Sequence, residues 1–152
     1  MNKNETLKEL FKKYNLYYDQ ENPNSKENDV FVHKHYKIIT RQGIQKIEKS
    51  AGIYCDIQVV DSISTPHNVT MRGVGIMNGN SYITFASASS ETSQNQYYAE
   101  MAEKRCRSRL VLTLAGLYEL GVFGQDESDQ FSAEVEKQKN SKVATYRGGA
   151  NE

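Results

Sequence analysis

The sequence predicts an α+β domain: a helix, a three-stranded antiparallel β-sheet, a long C-terminal core helix packed on that sheet, and polar tails. Three observations carry this expectation. Residues 53–59 alternate apolar and polar with the period of a half-buried strand. NVTMRGVGIM and SYITFASAS flank Asn78-Gly79-Asn80, and Asn-Gly is the strongest short-range hairpin signal. Finally, Tyr97 to Gly124 runs small and apolar residues at helical spacing into a leucine-rich stretch, Leu110, Leu112, Leu114, Leu117 and Leu120.

In chain order, ETLKELFKKYNL at 5–16 sets Leu7, Leu10, Phe11 and Tyr14 one helical turn apart, which predicts a short amphipathic helix. QENPNSKEND at 20–29 is polar, contains Pro23, and reads as a loop or linker. VFVHKHYKII is extended. Thr40 is placed to cap a helix over about 41–51 that buries Ile44 and Ile47, and Gly52 stops it. Ile53, Cys55, Ile57 and Val59 form the buried face of the first strand, closed by Thr65-Pro66. In the hairpin, parity puts Val74 and Ile76 on the face of Ile83 and Phe85, which the apolar side chains mark as the core face. Gly73 and Gly75 then share the other face with Tyr82, Thr84 and Ala86, a shallow relief where a backbone or ligand can approach. The long helix spans about 96–120, with Ala99, Ala102, Cys106, Leu110, Thr113, Leu114 and Leu117 as its packed stripe. Lys104, Arg105, Ser108 and Arg109 fall on its exposed side, Arg107 lies between the two faces, and Gly121 ends the helix.

The chain has 152 residues, 19 Lys plus Arg and 19 Asp plus Glu, hence zero formal net charge. That is the length of one domain, divided as an N-terminal helix and linker (1–29), a core (30–124) and an acidic, polar, flexible tail (125–152). A mean hydropathy of −0.71 fits polar ends. No stretch reaches the roughly 20 apolar residues of a membrane span and the N-terminus has no signal-peptide core, so a cytoplasmic protein is expected. The two cysteines, Cys55 and Cys106, are expected to stay reduced. Charge is unevenly spread. Residues 33–49 hold five cations against Glu48 alone, 104–109 hold four cations, and 126–136 hold five carboxylates with no cation. A local basic patch binds phosphate even in a neutral chain, with salt-sensitive affinity.

Rival chemistry finds little footing. The glycines at 73, 75 and 79 join two strands and have no P-loop lysine. His33 and His35 could point the same way, but the cysteines offer no matching ligand spacing. Asp56, Asp61, Glu91 and Glu100 lack the tight spacing of a metal nuclease, and no Ser or Cys sits in a nucleophile context. No cofactor is expected.

Three blocks, HKHYKIITRQGIQKIEKSAGI, RGVGIMNGNSYITFASAS and YYAEMAEKRCRSRLVLTLAGLYELGVFGQDESDQF, resemble the phage single-strand annealing proteins of the Erf and Rad fifty-two kind over about residues 31–131. In that superfamily the long helix opens with an Ala-Glu-Lys-Arg-Ala-like motif, which Ala102, Glu103, Lys104, Arg105 and Cys106 match here except at Cys106. The resemblance implies ATP-independent binding of single-stranded DNA and strand annealing in recombination and repair, by a homo-oligomeric ring or filament, in the host cytoplasm if phage-encoded. Phosphates would then meet Lys34, Lys37, Arg41, Arg72, Lys104, Arg105 and Arg109, while Tyr36 and Tyr82 stack on bases. The tail could recruit recombination or replication proteins, or compete with DNA for the basic patch. A structural or interaction protein on the same scaffold, favoured by the neutral charge, and a metal-dependent nuclease remain the alternatives.

Overall fold

The computed structural model describes residues 2–93 and 95–128. Helix α1 (Lys3–Lys13) is opened by a capping box in which Asn2 and Glu5 satisfy each other's backbone N–H groups. Strands β1 (Val30–His33) and β2 (Tyr36–Ile39) form a hairpin, followed by α2 (Arg41–Ala51). Next come β3 (Tyr54–Val59), β4 (Asn68–Met77), β5 (Asn80–Ser89), the long helix α3 (Tyr98–Leu114) and β6 (Val122–Gly124). The fold is α+β with two three-stranded sheets, where the sequence suggested one. The first is ordered β1-β2-β6, with β6 parallel to β2; the second is the expected antiparallel meander β3-β4-β5. Strand β6 has only three residues, too few to show a period.

Local chemistry sets the boundaries. Thr40 accepts from the Gly43 N–H at the start of α2, and Gly52 ends it at φ 66°. Helix α3 stops at Leu114, short of the expected 120. Gly116, at φ 80°, lets Leu117 N donate to Leu112 O and its own N donate to Thr113 O, the paired bonds that close a helix. Apolar Leu117 and Leu120 continue past that stop and hide it in the sequence.

Helix α3 packs on β3, β4, β5 and β6 and is buried on most of its circumference. One side joins the larger core, where Val111, Leu112 and Ala115 meet Leu7, Phe11 and Tyr14 of α1, Val30, Ile39, Ile44, Ile47 and Val122. The first helix is therefore built into the same core, and Tyr14 donates its hydroxyl proton to Ala115 O at 3.2 Å. The polar 20–29 segment is fastened too. Asp29, fully buried, accepts from Tyr17 N, Gln42 Nε2 and Lys46 Nζ.

On the β3-β4-β5 meander the hairpin turns at Asn78-Gly79, both at positive φ, with Met77 opposite Asn80. Parity holds, but the buried face is the opposite of the expected one. Gly73, Gly75, Thr84, Ala86 and Ala88 lie buried under α3, whereas Ile76, Ile83 and Phe85 are about half exposed. Volume decides this. A Cβ on Gly73 would stand 2.5 Å from Cys106 Sγ and 2.7 Å from Leu110 Cδ1, and one on Gly75 would stand 2.8 Å from Leu114 Cδ1. The glycine relief is filled by the helix's own large side chains.

Candidate nucleic-acid interface

The four cations of the α3 basic run point in three directions. Residues 105 and 109 are one helical turn apart and leave α3 on the same side, toward β5. Arg105 is fully buried. Its Nε donates to Asp126 O (3.1 Å), Nη1 to Ser87 O (3.0 Å) and Thr92 Oγ1 (3.3 Å), and Nη2 to Thr92 O (2.6 Å). The exposed placement expected for Arg105 is thus corrected: the side chain is buried and its donors face the protein's own carbonyls and the Thr92 hydroxyl. Ser108, also expected on the exposed side, is buried against Gly124 of β6.

Arg109 donates to Phe85 O at 2.6 Å and to Glu127 Oε1 at 3.2 Å. Burial works against its charge, but Glu127 outweighs that and raises its pKa further. Burial likewise lifts the Glu127 carboxyl above its ordinary value, against the pull of Arg109. These contacts correct the picture of a free acidic tail at its start: Gln125 to Ser128 are helical, and Asp126 and Glu127 are buried. The rest of that tail, from residue 129, lies outside the described residues.

Arg107 leaves α3 on the α2 side. It pairs with Glu103 and Glu48, each at 2.7 Å, and these carboxylates hold its pKa up against the opposing effect of burial. Lys104 is half-buried beside it. Arg41, at the N-terminus of α2, places Nε and Nη2 at 2.8 Å from Asp126 Oδ1. Arg41, Lys104 and Arg107 line one groove of about 180 Å³ between α2 and α3, together with Gln45, Ser108, Glu103 and Asp126. Arg107 is the groove residue that sequence reasoning left unassigned, although the Glu103–Arg107 spacing of four was a readable signal.

The other expected contacts are dispersed. Lys34 sits at φ 56° in the β1–β2 turn, and Lys37 holds its ammonium 5.8 Å over the Phe11 ring. Arg72 is on the face of the β3-β4-β5 sheet away from α3, so the sheet itself separates it from the α3 cations. Tyr36 packs edge-on against Phe123, with ring centroids 5.3 Å apart. Tyr82 lies opposite Gly75 at the turn end of β5, partly exposed. Neither tyrosine lines the groove.

Both cysteines are free, and burial is the main cause that pushes each thiol up to about 11. Such thiols are poor nucleophiles and poor metal ligands at neutral pH. Among the described residues no three His, Cys, Asp or Glu side chains converge on a point, and no helix is long and apolar enough to cross a membrane. Compared with known proteins, the chain matches no family model, no curated protein and no solved structure.

Proposed function

We propose that this protein binds single-stranded DNA through its phosphates and anneals complementary strands without ATP, in recombination or repair. The observation that carries the reading is the convergence of Arg41 with Lys104 and Arg107 in one groove, from segments some sixty residues apart in the chain. Arg107 is paired with Glu103 and Glu48 and Arg41 with Asp126, so Lys104 is the groove cation with no carboxylate partner among the described residues. Arg41 uses Nε and Nη2 on Asp126, and Lys104 has three donors to offer. Phosphate recognition of this kind is indifferent to base sequence. The resemblance to annealing proteins supplies the second half of the proposal, the pairing of complementary strands.

The test is titration of a labelled single strand at two salt concentrations, followed by addition of its complement. Three phosphate contacts give a log–log salt slope of about −2 for a single strand. Lys104→Ala with Arg41→Ala lowers the affinity about tenfold or more and reduces that slope by about 1.4. Unchanged affinity in the double variant would remove the groove from the mechanism, and cleavage dependent on magnesium would replace annealing by a nuclease.

A second reading, an interaction scaffold that does not bind DNA, is favoured by the internal use of Arg105 and Arg109. It predicts no binding of either single-stranded or duplex DNA at low salt.

A further inference from the structure

The face of the β3-β4-β5 sheet turned away from α3 is apolar at its centre and carries no covering element among the described residues. Tyr54 is 65% exposed, Ile83 51%, Phe85 50% and Ile76 44%. The register sets them on adjoining strands: Tyr54 opposite Ile76, Val74 opposite Ile83, and Arg72 opposite Phe85. With aromatic side chains of roughly 150–250 Å², these exposures amount to about 400 Å² of contiguous apolar surface, the size at which a patch on a single chain is functional. A standard interface buries roughly 800 Å² per partner, of which a little over half is apolar. The patch is close to the apolar share of such an interface.

We infer that this face is a self-association surface, and that its occupant is the same face of a second copy of the chain. Charge selects the occupant. The face carries one anion, Asp56, and one cation, Arg72, on neighbouring strands one row apart, since Asp56 lies opposite Val74 and Arg72 opposite Gln58. With one anion and one cation the face offers a polyanion no net charge attraction, whereas a two-fold pairing satisfies both charges at once. A two-fold axis running across the strands, between the Asp56 row and the Gln58 row, lays Phe85 over Ile83 of the second copy and Arg72 beside Asp56 of the second copy. Both contacts recur by symmetry, as an isologous interface requires. Two sheets stacked in this way stand about 10 Å apart, within reach of these side chains. The pairing is independent of the DNA groove, which lies beyond the sheet on the α2 side of α3.

The test is the mass of the full-length protein by sedimentation and light scattering. Wild type is expected to double its 17.3 kDa mass as the concentration is raised through about 10 µM. Ile83→Ser, a change at a half-exposed position, weakens the association at least about tenfold while leaving the circular dichroism spectrum and the DNA affinity per chain as in wild type. Arg72→Asp alone and Asp56→Arg alone each give the monomer, and the double exchange restores the dimer, a recovery that misfolding cannot produce. A wild-type monomer at every concentration overturns the inference, as does a dimer indifferent to Ile83→Ser. So does loss of DNA binding in Ile83→Ser without change of mass, which assigns the face to nucleic acid instead. Loss of DNA binding in the Lys104 and Arg41 variant with the dimer intact concerns the groove alone.

Discussion

Replacing Arg105 by alanine separates a structural arginine from a DNA-binding one. The side chain is fully buried and donates four hydrogen bonds, three of them to main-chain carbonyls of Asp126, Ser87 and Thr92. A hydrogen bond from a charged donor contributes about 1.5–3 kcal/mol, so the unrelaxed sum is well above 5 kcal/mol. Several of these acceptors are only partly buried and regain water once the guanidinium is gone, which brings the expected loss to about 3–4 kcal/mol. Against a total stability of about 5–15 kcal/mol that is a large fraction. For a chain of this size it lowers Tm by about 10 °C. Arg105→Lys recovers little, because one ammonium cannot reach carbonyls on three separate segments in the directions of a planar guanidinium. Lys104→Ala, one residue away, stays within about 0.5 kcal/mol of wild type. Thermal and urea unfolding followed by circular dichroism measure all three. An Arg105→Ala protein melting within about 2 °C of wild type, with weakened DNA binding, would refute the assignment and return Arg105 to the phosphates.

Gly73→Ala is expected to cost about 2 kcal/mol because its new methyl group meets Cys106 Sγ and Leu110 Cδ1. Combining it with Cys106→Ala recovers part of the loss, seen as a non-additive shift of the urea midpoint. Glu127 gives a pH signature. Burial raises its folded pKa above the unfolded value, so the stability its proton contributes is complete below the ordinary carboxylate range and is lost as pH rises through the folded value. Wild type measured against Glu127→Gln is therefore relatively most stable below the ordinary carboxylate range and loses that advantage as pH rises through the raised value; a difference that grows with pH refutes the assignment.

Much of the local structure is legible in the chain: the Thr40 cap, the Gly52 stop, the Asn78-Gly79 turn and the strand parity each follow from the chemistry of a few adjacent residues. Which face of the meander is covered does not follow, because it depends on the partner's shape. Hydrophobicity alone assigns Val74, Ile76, Ile83 and Phe85 to the core. The helix that covers the sheet brings Cys106, Leu110 and Leu114, and there is room for these only over glycine, alanine and threonine. The coincidence of small residues on both strands of the hairpin, Gly73 and Gly75 beside Thr84, Ala86 and Ala88, was the available signal for a seated helix. The site was legible in part. Arg41 and Lys104 line one groove, whereas Arg105 and Arg109 each spend donors on backbone carbonyls, which no residue type announces.

The density of positive charge on α3 has a geometric cause that also bears on assembly. Four residues of helix rise about 6 Å, and two residues of strand about 7 Å, so arginines at 105 and 109 match successive carbonyls along one strand edge. Met77 pairs with Asn80 across the two-residue turn, which directs the carbonyls of residues 81, 83, 85, 87 and 89 away from β4. Phe85 O and Ser87 O, the two that receive Arg109 and Arg105, belong to that outward set. Side chains of α3 therefore occupy part of the β5 edge that another strand would need, a standard protection against edge-to-edge pairing. Of the four cations, two seal this edge, Arg107 ties α3 to α2 through Glu48, and Lys104 is left to face the groove. With the β5 edge obstructed, strand addition to this sheet is confined to β3, and its large apolar side chains lie on the open face. The proposed pairing of two copies uses that face, and the obstructed β5 edge limits extension of the sheet.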